Sequence, residues 1–237
     1  EVELGSPRVA SADRSAQPAS SLLSRALILL FAVASGLAVA NAYFAHPMLD
    51  VMADDLGLSR ATAGLIVGAT QLGYGLGLIL LVPMGDLVDR RKLVIAQSLL
   101  SVLALLSIAF SSSGTMLLAS MAMMGLLAVV TQAFVAYAAS LARPAERGEV
   151  VGIVTSGIVL GILLARTVAG TLTDLSGWRT VYLASAAATL VIAWALWAML
   201  PRQQRPASPL SYPQLIGSLF TLFVQEPVLR IRAIIAM

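Results

Sequence analysis

Long apolar runs without internal acidic residues recur along the chain and predict its secondary structure. Six such runs alternate with short polar or charged connections, at roughly 23–45, 60–82, 92–110, 115–139, 150–172 and 180–200. A helix of about 20 residues crosses the hydrocarbon core of a bilayer, which is about 30 Å thick. The apolar positions are continuous rather than alternating with polar ones. The pattern therefore predicts membrane-spanning helices and not the strands of a barrel.

The polar segments divide the chain around this core. Residues 1–22 form a polar tail, predicted to be cytoplasmic, and 23–200 form a six-helix transmembrane bundle. Residues 201–229 form a cytoplasmic central linker that contains an amphipathic segment, expected to lie along the membrane interface. Residues 230–237 read as the start of a seventh helix, so we expect a truncated chain. The predicted fold class is an all-α membrane protein.

Composition agrees with a membrane environment. Hydrophobic residues make up 59% of the chain and charged residues 11%, with a mean hydropathy of +0.90. A soluble domain carries about 25% charged residues. The chain has no cysteine and one histidine, so we expect no cofactor, no metal site and no cysteine nucleophile. The net charge is only +3 and the basic residues fall at helix ends, so nucleic acid is not an expected partner.

The charged connections predict the orientation of the bundle. Most of the fifteen Lys and Arg residues precede the first run, join runs two to three and four to five, or follow the sixth. The other connections carry few basic residues alongside several aspartates. By the positive-inside rule, the N-terminus is cytoplasmic. The sequence thus predicts a multi-pass protein of the inner membrane.

Glycines in the second and fifth runs are spaced for close helix contact. Small residues let helix backbones approach each other in lipid. One reading is static packing; the other is a sliding seam, with Gln71 as a polar group that faces a cavity. The helix-packing candidates are Gly64, Gly68, Gly73, Gly75, Gly77, Gly157 and Gly161.

A charged loop follows the second run and carries a family resemblance. Its residues are Gly85, Asp86, Leu87, Val88, Asp89, Arg90, Arg91 and Lys92. Gly85, Leu87, Asp89 and Arg90 match, in order, the motif that members of the major facilitator superfamily carry between their second and third helices. Arg91 and Lys92 follow at once, without the two intervening residues of that motif. Taken alone, the loop could equally be a positive-inside anchor.

The resemblance implies a fold and a function. It implies the N-terminal six-helix half of a secondary transporter that works by alternating access, with the C-terminal six-helix half missing from this chain. Asp89 would then contact basic or helix-end groups in one state and release them in the other. Asn41–Phe44 and Gln71–Gly75 resemble bacterial drug- and metabolite-efflux members, and Gly157–Gly161 resembles the start of an antiporter motif. Export of a small molecule, coupled to protons, is the implied activity.

Few polar residues lie inside the predicted spans, and these are the candidates for a substrate cavity. They are Asn41, Gln71, Gln132 and Arg166. An arginine inside a membrane costs about 2.5–3.5 kcal/mol on insertion scales, so Arg166 needs a polar cavity or a partner. It could attract an anionic substrate group or form a gating ion pair. Alternatively, it could extend toward the outer interface. The set favours a small amphipathic or anionic compound.

A site for proton coupling is less evident, because the spans contain no acidic residue away from their ends. His46 and Asp50, near the outer end of the first span, are the possible proton-linked residues. His46 could equally be an interfacial hydrogen-bonding group. Two other functions stay open: a membrane fragment that needs a second half to transport, and a membrane-embedded enzyme. The enzyme is disfavoured because no cluster of catalytic residue types lies at membrane depth.

Overall fold

Nine helices make up the part of the chain described by a computed structural model, namely residues 23–201 with 212, 214, 215 and 217. This part contains no strand. The helices are α1 (Arg25–Tyr43), α2 (Ala45–Asp55), α3 (Arg60–Leu80), α4 (Met84–Leu87), α5 (Arg90–Ala109), α6 (Gly114–Ala128), α7 (Val130–Leu141), α8 (Arg147–Ser176) and α9 (Trp178–Met199).

These helices form six segments that are long and apolar enough to cross a membrane. They are α1 with α2, α3, α5, α6 with α7, α8, and α9. The six predicted spans and the all-α class are confirmed. The first segment runs to Asp55, past the predicted end near residue 45. The tail 1–22, most of the linker 201–229 and the start of a seventh helix at 230–237 lie outside the described residues.

Short polar side chains start four of the long helices. Ser24, Ser59, Asp89 and Ser113 are N-cap residues whose side-chain oxygens accept backbone N–H groups at 2.8–3.3 Å. These bonds satisfy donors that have no partner within the helix. Gly177, with φ of 82°, joins α8 directly to α9 in a backbone conformation that favours glycine.

Two spans are interrupted near their middle. The first breaks at Phe44, between α1 and α2, and the fourth at Val129, between α6 and α7. Pro47 explains the first break, because it has no N–H to donate to the Tyr43 carbonyl one turn earlier. The His46 ring donates to that carbonyl instead, with Nδ1 3.1 Å from the oxygen.

Small residues form one seam of the bundle between α1 and α8. Ala32 and Gly36 of α1 lie in backbone contact with Gly157 and Gly161 of α8. A Cβ added at Gly36 would come within 2.6 Å of the Gly157 carbonyl oxygen. Gly157 and Gly161 thus lie at a close helix contact, and Gly36 is a partner that the sequence did not reveal.

A second seam joins α3 to α6 and involves two of the five candidate glycines of the second span. The packing role of the other three stays a prediction. Gly73 and Gly77 pack against the backbone of α6. On the other side of α3, a Cβ added to Gly64, Gly68 or Gly75 would meet nothing within 4 Å. Within the described residues these three glycines pack against no helix, because they lie about 180° around α3 from Gly73.

Polar side chains form a layer between two apolar clusters. One cluster includes Met48 and Leu105, and the other, toward the end that carries Arg90 and Arg91, includes Phe31 and Tyr137. Between them several spans contribute buried polar residues: Asn41, Ser98, Ser101, Thr131, Ser185 and Thr189. Hydrogen-bonding groups at this depth need partners, because lipid offers none.

Candidate functional site

A pocket of about 210 Å³ with a mixed polar and apolar lining opens in this layer where α1, α3, α7 and α8 meet. We call it the central pocket. Its polar lining consists of Tyr43, Thr70, Gln71, Tyr74, Thr131 and Gln132. Ile158 and Ile162 of α8 form part of its apolar wall. The described lining contains no charged side chain, so the pocket can offer hydrogen bonds but no ion pair.

Both helix interruptions border this pocket. Tyr43 is the last residue of α1, and Thr131 and Gln132 lie in the first turn of α7. In membrane proteins, irregular backbone is tolerated where it is buried in protein or lines a cavity. The breaks at Phe44 and Val129 therefore occur beside a cavity, where irregular backbone is tolerated inside a membrane and where a solute could bind.

The polar groups of the pocket differ in how far their hydrogen bonds are satisfied. Gln132 Nε2 donates to the Tyr74 hydroxyl oxygen at 3.2 Å. The Thr70 hydroxyl donates to the Ile66 carbonyl of its own helix at 2.9 Å. The Thr131 side chain is only 3% exposed, and its hydroxyl has no partner among the described residues. One buried donor therefore stays uncommitted in the pocket wall.

A second pocket, of about 180 Å³, lies toward the end of the bundle that carries Arg90. Gln132 lines both pockets. Gln97 also lines the second one, is 4% exposed, and has a side-chain carbonyl oxygen without a partner among the described residues. Gln132 thus separates two polar spaces that follow each other along the bundle.

The description "Major Facilitator Superfamily" belongs to the family model that matches residues 28–237. The chain belongs to the major facilitator superfamily. A bacterial homolog to the human lysosomal transporter Spinster, in an inward-facing and unoccupied conformation, has the same fold. It superposes with a TM-score of 0.70 at 16% identity, over 85% of this chain and 49% of that one.

Relatives in this superfamily include named transporters. An uncharacterized transporter, YgaY, of Escherichia coli O157:H7 is 48% identical over 213 residues, which are 90% of this chain and 54% of the relative. The purine ribonucleoside efflux pump NepI of Escherichia coli O127:H6 is 30% identical over 152 residues, covering 62% of this chain and 38% of the pump. The chain spans about half the length of the curated relatives that it matches.

The loop that carries the superfamily resemblance joins three helices at the basic end of the bundle. The Asp89 carboxylate accepts the Arg91 N–H at 2.8 Å and caps its own helix. The arginines make the contacts to other helices: Arg90 Nη1 donates to the Ala136 carbonyl at 3.1 Å, and Arg91 Nη2 to the Trp197 carbonyl at 2.5 Å. Gly85 and Asp86 belong to α4, and Lys92 is exposed. The switch role of this loop stays a prediction.

The structure brings two of the four cavity candidates together. Gln71 and Gln132 both line the central pocket. Asn41 does not line it: it is 1% exposed and faces α9, and its role in a substrate cavity stays a prediction. Its amide donates to Thr189 Oγ1 at 3.4 Å, and the Ser185 hydroxyl donates to its oxygen.

Arg166 lies beside the central pocket and not in its wall. It follows Ile162 by four residues on α8, which places it about 6 Å further along the helix and about 40° around it. Its side chain is exposed, and the described residues offer it no hydrogen bond or ion pair. Its roles as a gate, an anion-binding group or an interfacial anchor stay predictions.

His46 and Asp50 lie on α2, beyond the central pocket. The His46 ring stacks on the Tyr43 ring, with 5.2 Å between centroids, and Tyr43 lines the pocket. His46 also donates to the Tyr43 carbonyl, which supports the hydrogen-bonding alternative for this residue. Asp50 is exposed. Their proton-linked role stays a prediction.

A group of contacts that the sequence did not predict, which we call the clamp, lies at the opposite end of the bundle. Asp55, at the end of α2, forms an ion pair with Arg179 and accepts the Trp178 indole N–H at 3.2 Å. Arg179 also donates to the Ser111 carbonyl at 3.1 Å and lies 4.4 Å from the centre of the Trp178 ring. The clamp links α2, the end of α5 and the start of α9. Only the opposite charges of Asp55 and Arg179 could have signalled it.

Proposed function

We propose that the chain forms one half of an alternating-access transporter and that the central pocket is its part of the substrate site. The main observation is a pocket with an uncharged lining of polar and apolar side chains, bordered by two helix breaks, within an apolar six-span bundle. Its volume of about 210 Å³ lies below the roughly 300–1,000 Å³ of most small-molecule sites. A pocket of this size fits half of a site that a second wall completes.

A second six-helix half would supply that wall. Spans α3 and α8 are the least buried of the six, and α3 presents Gly64, Gly68 and Gly75 to open space. Small residues of this kind allow another helix to approach closely. We propose that α3 and α8 face the second half, with Arg166 near the mouth of the pathway. The half could come from a further segment of chain, a separate chain or a second copy.

We also propose the direction, the coupling and the location of transport. The relative named as a purine ribonucleoside efflux pump supports export, and the membrane-transporter relatives of Escherichia coli support an inner-membrane location. The basic ends at Arg90–Lys92 and Arg143 support a cytoplasmic N-terminus. Protons are the proposed coupling ion, with His46 and Asp50 as the residues to test. Asp89 with its neighbouring arginines is the proposed conformational switch.

A flux assay tests the proposal. The chain replaces the matching segment of the Escherichia coli O157:H7 relative, and the resulting chimera is reconstituted in sealed proteoliposomes. A panel of nucleosides, amphipathic drugs and small organic anions is offered, and flux is measured with and without a proton gradient. We expect flux of at least one panel member in the chimera. Flux in the 237-residue chain alone would indicate that a second copy supplies the missing wall.

Two variants locate the pathway. Gln132→Ala removes an amide of the central pocket, and Leu103→Ala is the control, because Leu103 lies on the exposed outer face of α5. We expect Gln132→Ala to lower flux at least tenfold at equal protein levels and Leu103→Ala to leave it within twofold. The proposal fails if the intact relative transports a panel member that the folded chimera does not. It also fails if both variants behave alike.

A further inference from the structure

We propose that the central pocket selects uncharged solutes that both donate and accept hydrogen bonds, and that Thr131 is the specificity-determining residue for them. This inference rests on the proposed transport function and names its substrate class. It departs from the anionic compound that Arg166 favoured on sequence grounds.

The described lining of the central pocket contains no charged side chain. Every polar side chain of the described lining is a hydroxyl, a phenol or an amide. A charged solute held against this wall would lose hydration and gain no ion pair from it, and desolvation of an unpaired charge is costly. The nearest cation on α8, Arg166, lies one turn beyond Ile162 and outside the lining. The wall is therefore matched to neutral polar groups.

The Thr131 hydroxyl has no hydrogen-bond partner among the described residues. Several buried hydroxyls of the bundle bond to the carbonyl of their own helix, as Thr70 does with Ile66 at 2.9 Å and Ser98 does with Val94 at 2.7 Å. Thr131 is 3% exposed and makes no such bond within the described part of the chain. A buried hydroxyl without a partner is destabilising, because it has lost its hydrogen bonds to water and gained none in return. The Thr131 hydroxyl oxygen is covered in this conformation, so a solute recovers this loss when the pocket wall shifts to expose it.

Gln132 and Tyr74 are bonded to each other in the pocket wall and keep further hydrogen-bonding groups available. The bond from Gln132 Nε2 to the Tyr74 oxygen uses one amide hydrogen. It leaves the second amide hydrogen, the amide carbonyl and the phenol hydrogen as groups that a solute can reach. Gln71 adds another amide to the same wall. Donors and acceptors thus lie side by side, which fits solutes such as amides, polyols or nucleosides.

Three probes of similar size and different charge test the substrate class. Inosine is uncharged, inosine 5′-monophosphate is an anion and nicotinamide riboside is a cation. Their flux is compared in proteoliposomes that contain the chimera. We expect flux of inosine and at least tenfold slower flux of both charged probes. Equal or faster flux of either charged probe, or no flux of inosine, overturns the proposal.

Variants at two threonines of the pocket test the residue. Thr131→Val keeps the shape and removes the uncommitted hydroxyl, and Thr131→Ser restores a hydroxyl. The matched control is Thr70→Val, because the Thr70 hydroxyl is already bonded to its own helix. Loss of one neutral hydrogen bond predicts a KM for inosine about 2- to 10-fold higher in Thr131→Val. Thr131→Ser and Thr70→Val should stay within twofold of the parent.

Thermal unfolding separates recognition from a structural role. Thr131→Val removes an unpaired buried hydroxyl, so the variant should unfold at the same temperature as the parent or higher while its KM rises. A lower unfolding temperature with an unchanged KM would show a packing role and overturn the assignment. A cysteine placed in the pocket wall at Ile162 provides a second readout, because a membrane-impermeant thiol reagent can be applied from either side. If inosine flux is absent but this cysteine still reacts from both sides, the substrate class fails and the transport proposal stands. If both are absent, the transport proposal fails as well.

Discussion

The glycine seam between α1 and α8 predicts a sharp difference between two similar substitutions. In Gly161→Ala, the added Cβ would lie 2.6 Å from the carbonyl carbon of Gly36 and 2.7 Å from its Cα, with the carbonyl oxygen nearer still. Ordinary van der Waals contacts of a Cβ are 3.4–4 Å. The obstacle is backbone, so no side-chain rotation can relieve it, and α1 and α8 must separate by about 0.8 Å or more.

The magnitude follows from that separation. A radial gap of 0.5–1 Å forfeits about a quarter to a half of each dispersion contact along the seam. Overpacking of a close-packed interior costs about 1–3 kcal/mol. We therefore expect Gly161→Ala to lower the free energy of unfolding by about 1–3 kcal/mol. Gly68→Ala is the control, because its Cβ would meet nothing within 4 Å. Replacing glycine by alanine inside a helix is favourable by up to about 1 kcal/mol, so this control should be neutral or stabilising.

The assay is unfolding of the 237-residue chain in detergent micelles, driven by increasing sodium dodecyl sulfate and followed by circular dichroism. Equal free energies of unfolding for Gly161→Ala and Gly68→Ala would refute the seam as described. A second comparison uses the chimera. If a second half packs on α3, Gly68→Leu should impair flux there, although the substitution is tolerated in the chain alone.

Three further predictions concern other parts of the bundle. Asn41→Val should lower the free energy of unfolding by about 0.6–1.7 kcal/mol, which are the mean and the maximum for hydrogen bonds between membrane helices. In the flux assay its KM should stay within twofold of the parent. A KM raised tenfold would place Asn41 in the site after all. Arg179→Ala should lower the unfolding temperature more than Asp55→Asn does. Both variants lose the half-exposed ion pair, which contributes about 0–1 kcal/mol, but Arg179 also donates to the Ser111 carbonyl and covers the Trp178 ring. Equal unfolding temperatures of the two variants would count against the clamp. The chain has no cysteine, so single cysteines introduced at Ser112 and Ala145 report on which side of the membrane each connection lies. A membrane-impermeant thiol reagent added to intact cells should label Ser112→Cys and not Ala145→Cys. The reverse pattern would contradict the proposed orientation.

The sequence predicted the spans because apolar length is a local property. A run of about 20 apolar residues needs a helix in lipid whatever its neighbours are. The caps at Ser24 and Ser113 were not predicted, although they are local too, because their polar side chains satisfy helix ends nearby in sequence.

The partners of polar residues could not be predicted in this way. Tyr74 and Gln132 are 58 residues apart and meet only because α3 and the fourth span pack together. Asn41 and Tyr43 belong to the same helix, α1, but Asn41 is buried and Tyr43 is exposed. Two residues along the helix turn the side chain by about 200°, which sends Asn41 to α9 and Tyr43 to the pocket. Which glycine face of α3 meets a neighbour was undecidable for the same reason.

The most direct test of alternating access through the central pocket uses one cysteine in its wall. Ile162→Cys leaves every polar group of the pocket in place, and Leu105→Cys, fully buried in the core, is the control. Both are made in the chimera after its other cysteines are replaced by serine, and a membrane-impermeant thiol reagent is applied to right-side-out and inverted vesicles. We predict that residue 162 reacts from either side, that a transported solute slows the reaction, that vesicles remain proton-tight, and that residue 105 does not react. Reaction from neither side, or reaction from both sides together with proton leakage, would contradict a pocket that opens alternately to the two faces of the membrane.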